Sequence, residues 1–305
     1  MNENNYIKNI KSNHILKLIF LNLKKNKFLQ IIRYNKQIQN KLNINIDDYK
    51  YYNPIEIEII SFNQDDKNIF INIKEENKLY YHIYFNNNKE EINRNYFTKD
   101  DNINKIRIII DKEIKSFNEL FQKCNCIKKI NFIKFNKKDI DDMSYMFAYC
   151  ENLTELNLAY FNTDNVTNMS HMFDYCKELK KINLSNFNTN KVTDMSYMFY
   201  YCRGLSELNL EHFNTDNVTN MSHMFGYLTS LKKCNIINFN TQNVTDVSFM
   251  FYRCLYLKEL NLNSFNTDSI INMEDMLLDC SMELIYKIFS LNDNIKEEAF
   301  KPLGF

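Results

Sequence analysis

The pair Met-Phe recurs at 146–147, 172–173, 198–199, 224–225 and 250–251, and Met-Leu follows at 276–277, every step being 26 residues with no insertion. The same step relates Cys124, Cys150, Cys176, Cys202, Cys254 and Cys280, with Leu228 in the one remaining slot. It also relates Phe135, Phe161, Phe187, Phe213, Phe239 and Phe265. A fixed period of this length marks a tandem array, because one short unit has too few neighbours to bury its own apolar residues and stacked copies bury them against each other. Residues 114–280 therefore read as about six and a half units.

One unit, starting at Leu153, is LTELNLAYFNTDNVTNMSHMFDYCKE. Leu156 and Leu158 alternate with Glu155 and Asn157, the period-two pattern of a short strand. Met169, Met172, Phe173 and Cys176 fall at i, i+3, i+4 and i+7, which predicts a helix. The residue before it is Asp142, Asn168, Asp194, Asn220, Asp246 and Asn272 in successive units, which reads as a ladder of N-caps. Phe-Asn-Thr-x-x-Val between the two is an Asx-rich turn. Parallel strands stack about 4.8 Å apart and helices about 8–10 Å apart, so such an array should curve with its strands on the concave face. The expected fold class is an α/β solenoid, a curved leucine-rich-repeat array of strand–turn–helix coils, preceded by a small helical segment and a short β meander.

Units of the form LxxLNLxxFNTxxVTxMSxMFxxC resemble the leucine-rich repeats of BspA-type surface proteins, which are also widespread in mycoplasma lipoproteins and in some protists. The resemblance covers residues 114–280. It implies a right-handed repeat solenoid that binds proteins or host surfaces, with a surface adhesin as one form of that role.

On the strand side, the residue before the Leu-Asn-Leu core is Lys129, Glu155, Lys181, Glu207, Lys233 and Glu259 in turn, so the sign alternates at every step. A second row is Asn131, Asn157, Asn183, Asn209, Asn235 and Asn261. The candidate partner-binding residues are Glu155, Asn157, Lys181, Asn183, Glu207, Asn209, Lys233, Asn235, Glu259 and Asn261. The same alternation also permits cross-strand pairs of about 0.2–1 kcal/mol each, in which case the rows hold the register. Tyr145 and Tyr197 alternate with His171 and His223, and Asp with Asn at the cap, giving a 52-residue super-period that suggests growth by duplication of a two-unit block.

Chemistry-bearing patterns are sparse. Gly204, Gly226 and Gly304 are too scattered for a phosphate-cradling loop, and His14, His82, His171, His212 and His223 show no metal-ligand spacing. Cysteines 26 residues apart supply one thiol per unit, so the row reads as buried free thiols rather than a metal site. No metal, cofactor or enzymatic activity is expected, and the function expected is that of a non-enzymatic protein-binding scaffold.

Outside the array, residues 1–50 carry ten basic and three acidic side chains and read as short amphipathic helices, a capping or adaptor segment. The order Ile15-Leu16-Lys17-Leu18-Ile19-Phe20-x-x-Leu23, then Leu29-Gln30-Ile31-Ile32-Arg33-Tyr34-Asn35-Lys36-x-Ile38-Gln39, is similar to an F-box-like motif, which implies a substrate adaptor of a ubiquitin ligase. Residues 51–113 alternate as short strands, and 281–305 read as a closing helix. With 38 basic and 38 acidic residues the chain is neutral, and no nucleic-acid partner is expected. The first residues show no export signal, and no run approaches the ~18 apolar residues of a membrane span. A cytoplasmic monomer is expected, with the cell surface as the alternative.

Overall fold

The chain divides into two compact units, Met1–Asn53 and Pro54–Phe305. The structure, a computed structural model, describes residues 40, 54–62, 65–110, 114–135, 139–291, 295 and 297–300. The F-box-like order between Ile15 and Gln39 therefore lies outside the described residues, as does all of the basic segment but residue 40.

In the second unit, strands β1 (Ile55–Ser61), β2 (Asn68–Ile69), β3 (Tyr81–Phe85), β4 (Tyr96–Phe97) and β5 (Lys105–Ile110) precede the repeats. Period-two alternation puts Ile55, Ile57 and Ile59 of β1, and Ile106, Ile108 and Ile110 of β5, wholly inside. Within the repeats come β6 (Ile127–Lys134), β7 (Glu155–Asn157), β8 (Glu207–Asn209), β9 (Lys233–Asn235) and β10 (Glu259–Leu260). One sheet has the order β3-β5-β1-β6-β7, a second is β10-β9-β8, and β2 pairs with β4. The expected meander is not what forms. β1 pairs antiparallel with β5 and with β6, so the first repeat strand continues the N-terminal sheet, and β7 then pairs parallel to β6.

The expected leucine-rich-repeat solenoid of strand–turn–helix coils is overturned by the second half of each unit. Residues 169–176 form no helix but a chain of turns, with His171 and Tyr175 at φ 56° and 57°. The amides of Met169, His171, Phe173 and Tyr175 donate to carbonyls of Asp194, Ser196, Met198 and Tyr200 in the next unit, while those of Met172, Asp174 and Cys176 close turns three residues back. A helix would direct every amide four residues back within its own segment. Here half of them are claimed by the neighbouring rung, and a left-handed residue at every fourth position breaks the helical path. The Asn168 side chain likewise accepts from the amide and hydroxyl of Ser170, an Asx turn rather than a helix cap. Parallel bridges run from Ser116 through Asp142, Asn168, Asp194, Asn220 and Asp246 to Asn272. Without helices to splay one side, the reason for expecting curvature disappears.

Met169, Met172, Phe173 and Cys176 are nevertheless fully buried, as are their counterparts in the next unit, Met195, Met198, Phe199 and Cys202. The turns thus bury the same positions that a helix would have buried. Thr163, Thr189, Thr215 and Thr241 form a buried row in which each hydroxyl donates to a carbonyl of the following unit at 2.7–2.9 Å.

Among the described residues the longest helix is α1 (Met282–Leu291), which buries Leu284 and Ile288. Beyond it, the carbonyls of Glu298 and Ala299 accept from the amides of Asp275 and Leu277, in the place a further rung would occupy.

Candidate functional site

The strand face carries the ten residues picked from the sequence. All are exposed except the half-buried Asn235. Glu155 and Asn157 lie on β7, Glu207 and Asn209 on β8, Lys233 and Asn235 on β9, Glu259 on β10 and Asn261 just after it. Lys181 and Asn183 lie in a rung that forms no strand, which is why the two sheets are separate. Ion pairs close at Lys129–Glu155 (2.6 Å) and Lys233–Glu259 (3.1 Å), whereas Lys181 and Glu207 have no ion-pair partner among the described residues. The asparagines are partly spent on structure. Asn157 donates to Asn131 and Asn235 to Asn209, and their side-chain oxygens cap the amides of Ala159 and Ile237.

The turn face carries a feature that the strand-centred reading missed. Tyr145, His171, Tyr197, His223 and Phe249 stack in one row, with ring centroids 4.2–4.7 Å apart. Tyr149, Tyr175, Tyr201 and Tyr227 form a second row, with centroids 4.3–4.9 Å apart. All nine are half-buried and all have positive φ. A side chain in this conformation costs about 1–2 kcal/mol, and asparagine or glycine would hold the turn more cheaply. Ring stacking of about 0.5–1.5 kcal/mol per pair offsets part of that cost. The sequence signal was present, since Tyr and His recur at the same step as the core residues.

Between the rows stand Ala148, Asp174, Tyr200, Gly226 and Tyr252. The ring of Tyr200 lies over Gly226, where a Cβ would meet its Cδ2 at 3.0 Å. Asp174 is 2 % exposed. Its Oδ2 lies 2.9 Å from Nδ1 of His171 and its Oδ1 has no hydrogen-bond partner. Burial raises the Asp174 pKa, and the bond to His171 opposes that shift.

A family model described as "Mycoplasma protein of unknown function, DUF285" matches residues 115–209 and again 182–288, together more than half of the chain. The chain belongs to the DUF285 family. No curated protein and no solved structure matches it. The two overlapping DUF285 matches fall on the residues that form the rungs and both of their faces.

The eight cysteines of this DUF285 chain are buried and unpaired. Burial pushes the thiols up, Cys126 and Cys280 to about 12, so none is poised as a thiolate nucleophile. Among the described residues no group of three or more His, Cys, Asp or Glu side chains is placed to hold a metal ion. No helix among them is long and apolar enough to cross a membrane. An apolar hollow of about 480 Å³ lies beside α1, lined by Leu278, Cys280, Met282, Ile285, Phe289 and Phe300.

Proposed function

We propose that this DUF285 chain is a non-enzymatic protein-binding scaffold whose partner docks on the strand face between Glu155 and Asn261. The observation that carries this reading is the unpaired centre of an otherwise self-paired row. Among the described residues, Lys181 and Glu207 lack the ion pairs that Lys129–Glu155 and Lys233–Glu259 make. Opposite charges left open at the middle of a face can take complementary charges from a partner, which favours register and orientation over raw affinity. The test is affinity capture from the cells of origin with wild type and with Lys181→Glu. A partner lost by the variant at an unchanged melting temperature supports the strand face, and equal capture of that partner rules this residue out of the interface.

A second reading, a ubiquitin-ligase adaptor, rests on the F-box-like order between Ile15 and Gln39. Its test is retention of a Skp1-type protein that is lost when Leu16 and Phe20 are replaced by alanine. A third, a surface adhesin, rests on the resemblance of the repeats to BspA-type proteins and on the mycoplasma family match. Protease treatment of intact cells tests it, because a surface protein is cleaved there and an internal one is spared.

A further inference from the structure

We propose that the ring ladder Tyr145–His171–Tyr197–His223–Phe249 is a second docking surface, apart from the strand face, and that it takes a basic, Lys/Arg-bearing segment of a protein partner.

Three observations lead there. The first is what the stack leaves open. His171, Tyr197 and His223 each have a ring on both sides, so their faces are covered while the residues stay half-buried; Nδ1 of His171 is held by Asp174 and Nδ1 of His223 is buried. Half-exposed tyrosines in a rigid array are the side chains enriched at the anchoring points of protein interfaces. At the first rung Glu119 takes the ring slot, so among the described residues no ring stacks on the outer side of Tyr145, and a carboxylate stands near it.

The second observation is the sign of the charge along this row. Asp174, Asp194 and Glu119 stand near Tyr145, and Asp174 and Asp246 near Tyr197, while His223 feels both Asp246 and His171. Four cations of the turn face stand elsewhere. Lys123, Lys177, Arg203 and Arg253 lie over rings of the second row, Tyr149, Tyr175, Tyr201 and Tyr227. The ring ladder is therefore the acidic side of the turn face, and charge complementarity selects a cationic occupant over an acidic or neutral one. The same sign disfavours nucleic acid and anionic membranes.

The third is Asp174. It is buried directly beneath the ladder, with one oxygen against His171 and the other without a partner. A buried carboxylate is screened by salt much less than an exposed one, so its field acts on whatever lies across the rings.

The row's own alternation supplies a clean variant. Asp194 and Asp246 each use Oδ1 to bind a serine amide, and Asn220 makes the same bond in the rung between them. Asp194→Asn with Asp246→Asn therefore keeps both turns and removes two negative charges. The measurement is fluorescence anisotropy with the full chain, titrating a labelled Lys/Arg-rich nonapeptide and a Glu-rich control of the same length. The basic peptide is expected to bind, to weaken as salt rises above ~0.1 M, and to lose about tenfold in affinity in the double variant at an unchanged melting temperature. Tyr197→Asn, which suits a left-handed backbone, is expected to weaken it similarly, while Lys181→Glu on the strand face leaves it unchanged. Binding no tighter than that of the acidic control, binding undiminished in the double variant, or binding lost in Lys181→Glu would each overturn the proposal.

Discussion

The thiol of Cys202 donates to the carbonyl oxygen of Phe173, 2.9 Å away and one rung back. Cys150, Cys176, Cys254 and Cys280 make the same bond to Phe121, Phe147, Phe225 and Phe251 at 3.0–3.2 Å. The cysteine row is thus a row of small apolar side chains whose weak donors meet a carbonyl, a role Leu228 fills by volume alone.

Because those thiols are buried and their ionisation is suppressed, the native protein at pH 8 is expected to resist alkylation by iodoacetamide at all eight cysteines. All eight should react once urea unfolds the chain. Mass spectrometry of the native reaction checks this. Rapid modification of several thiols before unfolding would mean that the row is accessible.

Phe213 is 1 % exposed in the middle of the Phe row. Replacing it by alanine removes a ring that the neighbouring rungs cannot fill without breaking their own 26-residue register. A loss of about 3–5 kcal/mol in urea unfolding is expected. A loss below ~1 kcal/mol would show that the rungs there are not closely stacked.

His223 is held neutral by burial, which lowers its pKa from 6.5 to about 4 against the opposing pull of Asp246. The unfolded chain takes up a proton near pH 6.5 that the folded chain refuses, so stability falls as pH drops from about 6.5 to about 4. His223→Phe, matching Phe249 in the same slot, is expected to flatten that part of the stability curve. Urea midpoints at pH 7, 5.5 and 4.5 for both proteins decide it, and parallel curves would remove His223 as the cause.

Asp142, Asn168, Asp194, Asn220, Asp246 and Asn272 bridge in sequence, so carboxylates stand two rungs apart, about 9.6 Å. Asn220→Asp would bring three in a row to about 4.8 Å spacing. That repulsion raises their pKa values, so the cost, on the order of 1 kcal/mol, is expected at neutral pH and low salt. It should vanish as the groups protonate below pH ~4 or are screened near 1 M salt. A deficit that persists at pH 3.5 would point to geometry instead. The 52-residue super-period, which reads from the sequence as a trace of duplication, also keeps these carboxylates two rungs apart.

The period and the burial of the Met-Phe, Cys and Phe rows are legible in the sequence, because a 26-residue step with unchanged apolar slots has few other ways to hide them; the buried Thr row and the second Tyr row are not read from it. The sequence also determined the sign alternation from Lys129 to Glu259. It did not determine the conformation of residues 169–176. Apolar residues at i, i+3, i+4 and i+7 are buried equally well by a helix and by the turns seen here, and nothing in the pattern states whether the amide of Phe173 bonds within its own segment or to Met198 on the next rung. Only the stacked neighbour decides that, by offering acceptors one strand spacing away. The same neighbour closes the ion pair at Lys129–Glu155 and leaves Lys181 open, and it turns scattered Tyr and His residues into a continuous stack. These are properties of distances between rungs, which exist only once the chain has folded.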